Sequence, residues 1–242
     1  MKINHKFGII ILTAIIGFSV MSCGDGGDKD KLPPAGNGSV TFPITSSAVY
    51  YFDEDSDDGI VPYTGANLNF SFISIVDVDV LYNDDSDLDE LIKFIELSKI
   101  LSGTTNVRVT SSGLSLSLGT PRNEYLIDIS KDLPKGFSVT SGLRVFGVNT
   151  FFSDCNNYML AWTSNNSFPS DIAGLYYANK AGKISGKFMD GDEDLIMNLD
   201  LRQGWNTFIQ TFSDNKNGYT ITTVTGQPSN DYKWVIMPNI YY

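Results

Sequence analysis

Hydrophobic residues recur at every second position along much of this chain, and that period commits it to extended strands that turn one face to a core. Leu68, Phe70 and Phe72 alternate with Asn67, Asn69 and Ser71, and Val76, Val78 and Val80 with Asp77, Asp79 and Leu81. Leu114, Leu116 and Leu118 alternate with Ser115 and Ser117, and Tyr125, Ile127 and Ile129 with Leu126, Asp128 and Ser130. β-Branched and aromatic runs at 40–44, 48–52, 106–110, 137–140, 143–148, 158–163, 174–178, 183–188, 195–201, 206–212, 219–224 and 233–237 add further strands, with Gly, Asn and Asp between them. The pattern predicts an all-β fold, an antiparallel β-sandwich or barrel, with one wet face on several strands. The run Phe72-Ile73-Ser74-Ile75-Val76 breaks the alternation, which predicts a bulge or a strand passing between two sheets.

One segment departs from this period. Across residues 88–101, Leu88, Leu91, Ile92 and Ile95 stand at helical spacing, Ser86 or Asp87 can cap the start, and Gly103 follows the end. The spacing predicts one helix near 88–101, covering an end or an open side of the sheets. No internal repeat is evident: Val49-Tyr50-Tyr51 and Leu175-Tyr176-Tyr177 match each other, but their flanks do not align.

The N-terminus limits the chemistry. Lys2 and Lys6 precede an apolar run from Phe7 to Val20, too short for the roughly 20 residues of a membrane-spanning helix, and Val20-Met21-Ser22-Cys23 closes it. An aliphatic residue three before a cysteine and a small one directly before it resemble the lipobox of bacterial lipoproteins. The resemblance implies a signal peptide over 1–22, cleavage before Cys23 and fatty acylation of Cys23 with chains such as palmitate. More than one acyl chain on a single residue holds a protein durably to a bilayer. Residues 23–38 are rich in Gly, Asp, Lys and Pro and read as a flexible tether. Such a tether spans about 20 Å on average. Residues 39–242 form the β domain, as one body or as two small subdomains. Gly24, not Asp, follows Cys23, so the inner-membrane retention signal of enterobacterial lipoproteins is absent and the outer membrane or cell surface is the expected location.

Cleavage would remove His5, the one histidine of the chain. Without an imidazole, Ser-His-Asp and Cys-His nucleophiles and histidine-ligated zinc are excluded. Cleavage also takes two lysines from a chain whose formal net charge is already −11, and so acidic a surface argues against nucleic acid as a partner. With Cys23 acylated, Cys155 is the remaining thiol, no intrachain disulfide can form, and Cys155 reads as a filler at a turn or strand end.

Acidic loops offer the one candidate for a cation. Asp53, Asp55 and Asp57 recur on alternate positions, as do Asp190, Asp192 and Asp194, an arrangement that suits calcium, though a solvated turn is the commoner account and calcium the secondary one. Asp85, Asp87, Asp89 and Glu96 fall on EF-hand spacing, but Glu90 occupies the place that demands glycine, so these acids are assigned to helix capping. No other cofactor is implied.

Leu199 to Ile209 reads as strand, turn, strand, with Gly204-Trp205-Asn206 at the turn. It is similar to a hairpin that recurs in β-rich surface lipoproteins of anaerobic and host-associated bacteria. Gly204 supplies the positive φ a tight hairpin requires, and Trp205 can fold over the core or stack on a sugar. Trp205, Trp234, Tyr176 and Tyr177, with Tyr50, Tyr51, Tyr232, Tyr241 and Tyr242, are the aromatic candidates for a ligand platform. The expected function is a non-catalytic binding or structural module for a glycan or protein ligand, held to the membrane by its lipid. The alternatives are a glycan-active enzyme working through two carboxylates and a calycin-like carrier of a small ligand.

Labelled palmitate fed to an expressing bacterium is expected to enter the wild-type protein and not the Cys23→Ser variant. An unlabelled wild-type protein with an intact N-terminus by mass spectrometry would remove the anchor.

Overall fold

The computed structural model describes residues 42–46, 48–53, 59–76, 92–131, 133, 135–148, 150–153, 158–164, 171–189, 193–214 and 218–238. The lipobox and tether, Asp55, Asp57, Asp190, Asp192, Cys155, the acids at 85–89 and the alternation at 77–81 lie outside them. The first half of the chain contributes β1 (Phe42–Ser46), β2 (Tyr50–Phe52), β3 (Ile60–Pro62), β4 (Leu68–Val76), β5 (Ile92–Glu96), a helical turn α1 (Leu97–Ile100), β6 (Leu101–Ser102), β7 (Asn106–Thr110), β8 (Gly113–Leu118) and β9 (Thr120–Pro121). The second contributes β10 (Phe137–Val139), β11 (Val145–Val148), β12 (Thr150–Ser153), β13 (Tyr158–Thr163), β14 (Ile172–Ala178), β15 (Gly182–Met189), β16 (Glu193–Leu201), β17 (Gly204–Asp214), β18 (Tyr219–Thr225) and β19 (Lys233–Pro238). The fold is all-β, of the sandwich class.

Pairing is antiparallel except for β19 with β2 and β16 with β18. One run passes β1–β8–β7–β4 and crosses β4 to β12, β13 and β19. A second leaves β13 through β14 and continues β17–β18–β16–β15–β10, with β11 on the other edge of β14. The pairs branch at β4, β13 and β14, and no pair among the described residues joins the outer ends of the two runs. As the broken alternation predicted, β4 serves two sheets: Leu68 and Asn69 pair with β7, Phe72 to Val76 with β5, and the β4–β12 ladder slips register between Phe152 and Ser153.

The runs enclose two hydrophobic clusters that share β11, β14 and β17. Strands with one wet face alternate in burial, as Leu114, Leu116 and Leu118 do. Val145–Val148 and Ala173–Tyr176 are instead buried at every position, the signature of a sheet covered on both faces. Phe146, Val148, Leu175 and Trp205 enter the first cluster with Phe70, Val107, Val109 and the β8 leucines. Val145, Tyr176 and Phe208 enter the second with Ile184, Leu195, Met197, Leu199 and Ile221. Gly174 makes this wall thin enough: a Cβ there would stand 2.3 Å from Cζ of Phe208 and 2.9 Å from the carbonyl oxygen of Val148. Burying a large side chain in either cluster contributes about 1.5–3 kcal/mol.

The Gly204-Trp205-Asn206 hairpin locks the wall. Gly204 has φ +95°. Asn206 accepts from the Arg202 backbone N–H at 2.9 Å and donates to the Arg202 and Gly204 carbonyls, each at 2.8 Å, closing the β16–β17 turn from within. Trp205 donates its indole N–H to the Gly119 carbonyl at 2.9 Å and meets Phe146 and Tyr177 edge to face, fastening the wall to the β8–β9 corner.

Two expectations are corrected. Of the helix expected over 88–101, residues 88–91 lie outside the described residues, Ile92–Glu96 is a strand paired with Val76–Phe72, and Leu97–Ile100 is helical. Helical propensity differs by only tenths of a kcal/mol among these residues, and a waiting edge of β4, with β-branched and aromatic residues to fit it, overrides the spacing. The alternation at 125–130 is no strand either: 3₁₀ turns at Asn123–Tyr125 and Ile129–Lys131 flank a single bridge from Ile127 to Val145.

Asn206→Ala leaves part-buried backbone groups of the turn without their side-chain partner and is expected to cost about 1 kcal/mol, read as a lowered urea midpoint at unchanged slope. An unchanged midpoint would show that the backbone alone holds the hairpin.

Candidate functional site

The break in the partner strand of β4 creates a shallow concavity. Glu96 lies opposite Phe72 and Arg108 opposite Asn69, so eleven residues on one side span two on the other. The surplus leaves the sheet as α1 and β6 and returns as β7. Leu97, Ile100 and Leu101 are fully buried and anchor this excursion to the first cluster. The Ile100 carbonyl accepts from the Arg122 N–H at 2.9 Å, Leu101 and Ser102 pair with Pro121 and Thr120, and Thr105 Oγ1 accepts from the Gly119 N–H at 3.2 Å. The corner that receives the Trp205 indole therefore also holds the excursion in place.

A cleft of about 220 Å³ opens beneath it, lined by Asn69, Phe70, Leu97, Ser98, Thr105, Asn106 and Val107. Its floor is apolar, since Phe70, Leu97 and Val107 are buried. Its rim carries two amides and two hydroxyls: Asn69, Ser98 and Asn106 are exposed and Thr105 half-buried. Among the described residues, no lining side chain is ionisable. An apolar floor under a few neutral donors and acceptors is the general pattern of a small-ligand site, though this cleft is smaller than the roughly 300 Å³ at which such sites begin.

The aromatic candidates lie elsewhere. Tyr176 and Trp205 belong to the central wall and Trp234 to the first cluster, all buried, while Tyr177 is half-buried against Trp205. Trp234 stacks on Trp162 with ring centroids 4.9 Å apart and planes at 15°, directly across the β13–β19 ladder. The aromatics that reach the surface around this pair are Tyr51, Tyr63, Tyr158 and Trp162, half-buried at the margin of the first cluster, with Tyr51 and Tyr158 edge to face. Sequence reasoning passed over Tyr63, Tyr158 and Trp162. Trp162 shares an alternating phase with Leu160 and Tyr158, which marks a common face but not its exposure.

Of the acidic candidates, Asp53 follows β2, and Asp194 lies in β16 between Met189 and Thr220, buried. The described residues contain no cluster of three or more acids, histidines or cysteines able to hold a metal.

Burial also sets the ionisation of the tyrosines. It holds the Tyr176 phenol protonated far above its ordinary value of 10.0. Tyr177 is raised by burial and drawn partly back by a hydrogen bond with Thr120. Tyr232 is raised by burial and by the Asp171 carboxylate, against a hydrogen bond with Ser164. None of these tyrosines lines the cleft, whose described side chains offer hydrogen bonding and apolar contact.

Comparison with protein-family models, with curated proteins and with solved structures returned no match.

A phenol with a raised folded-state pKa stabilises the fold fully below its unfolded pKa and loses that contribution as pH rises above it. Stability is expected to fall above about pH 10, less steeply in Tyr176→Phe, as followed by urea midpoints at alkaline pH. Identical pH profiles for the two proteins would exclude Tyr176 as the cause.

Proposed function

We propose that this chain is a lipid-anchored, non-catalytic binding module of the bacterial envelope, held through Cys23 at the outer membrane or cell surface and taking a glycan or protein ligand. The observation that carries the reading is the cleft under the excursion, where neutral amides and hydroxyls rim an apolar floor. Such a lining suits an uncharged polar group with one apolar face, as a sugar ring or a short neutral stretch of peptide presents. The volume admits one such unit, so a longer ligand would rest on the surrounding surface. The acidic composition supports the same reading by repelling phosphate polymers while leaving neutral ligands unaffected.

A panel of neutral glycans and envelope proteins titrated against the purified protein is the test. Asn69→Ala and Asn106→Ala are each expected to weaken the selected ligand about five- to tenfold, the loss of one hydrogen bond, whereas Asn198→Ala on β16 should leave its affinity unchanged. Binding indifferent to both cleft variants would move the site elsewhere. Turnover of any glycan that disappears on mutating two acids would replace a binding module with an enzyme.

A further inference from the structure

Inside the second cluster, Gln210 and Thr223 face each other across the β17–β18 ladder, and both are completely buried. Neither the amide nitrogen nor the amide oxygen of Gln210, nor the Thr223 hydroxyl, has a hydrogen-bond partner among the described residues. Their surroundings are mostly apolar, with Thr225 on the same face engaged by the Asp200 N–H at 2.8 Å. On the same strand faces stand Phe208 and Phe212 beside Gln210 and Ile221 beside Thr223, while Ile172 and Met197 lie across the flanking ladders. Phe188, Phe212 and Tyr219, half-buried, form an aromatic margin at this end of the sheet, where β15 and β17 finish and β16 and β18 begin.

Buried polar groups are paired in folded proteins almost without exception, and an orphaned one costs its full desolvation. A leucine and a valine would fill these places at no such cost. Three polar atoms on one ladder with no partner among the described residues therefore point to a partner from outside these strands. Gln210 offers both donors and an acceptor and Thr223 one of each, so the partner must itself donate and accept. It must also be neutral, because a charge set among these apolar faces would stand without a counter-charge.

We propose that Gln210 and Thr223 form a buried receptor for one small neutral group that both donates and accepts hydrogen bonds. Two sources share that chemistry: an internal water, and the hydroxyl or carboxamide head of a guest whose apolar part extends toward Phe212 and Tyr219. This receptor lies in the second cluster and the cleft borders the first, so either can fail without the other.

High-resolution crystallography of the full chain, joined to mass spectrometry of an organic extract of the purified protein, decides the matter. A compact peak within hydrogen-bond distance of Gln210 Nε2 or Oε1 and of Thr223 Oγ1, with an empty extract, supports the receptor and makes its occupant a water. Elongated density running to Phe212, with a neutral alcohol or amide in the extract, supports it and makes the occupant a guest. In either case the double variant Gln210→Met/Thr223→Val is expected to lose the density while keeping the fold. A direct bond between the Gln210 amide and the Thr223 hydroxyl with nothing between them would overturn the proposal, as would density that survives in the double variant.

Discussion

Burial of β11, β14 and β17 on both faces is the constraint from which the rest of the architecture follows. A sheet with two dry faces must be matched by packed layers on each side, and it tolerates neither bulk in its plane nor unpaired groups along its edges. Gly174 satisfies the first demand by giving way to the Phe208 ring, and Asn206 the second by taking up the donors and acceptors of the turn that starts β17. The two clusters are consequently halves of one structure. A change at Tyr176 or Phe208 alters the wall against which Phe146, Leu175 and Trp205 pack from the other side.

The cleft inherits its position from that wall through a short chain of contacts. Trp205 fastens to Gly119, the Gly119 N–H fastens to Thr105, and the residues around Thr120 pair with β6. A segment that departs from its strand for eleven residues would ordinarily be loose, because fixing each residue costs about 1–2 kcal/mol of conformational entropy. Here three buried aliphatic side chains and a two-residue ladder tie the excursion to the first cluster, ahead of Asn106 at the cleft rim. The elements that stabilise the fold are thus the ones that shape the site we propose for ligand.

Much of the architecture was legible in the chain because alternation is a local property. The strands at 106–110, 114–118, 158–163, 195–201, 206–212 and 233–237 all appear within a residue or two of their expected limits. The division of β4 between two sheets also showed, as a break in its period. What misled was spacing that two structures could share: Leu88, Leu91, Ile92 and Ile95 suit a helix, yet Ile92, Phe94 and Ile95 suit a pleated ladder as well, and the free edge of β4 decided between them. The cleft was invisible for the same reason, since it exists only where that ladder is interrupted. The burial of the aromatic candidates was not legible for a different reason. Trp205, Trp234 and Tyr176 were chosen for what their side chains can do in contact with a ligand, and burial in the clusters engages that capacity internally.

The chain by itself determined that the protein is built of strands, that its hairpin near Gly204 would be tight, and that histidine chemistry is unavailable if residues 1–22 are removed. These are consequences of residue type and near-neighbour spacing, which act over a few bonds. Only the tertiary structure decided that three strands would be dry on both faces, that β5 would be extended, and that Gln210 and Thr223 would meet unpaired in an apolar interior. Those outcomes depend on which distant segments come to lie beside one another, and no local pattern encodes that adjacency.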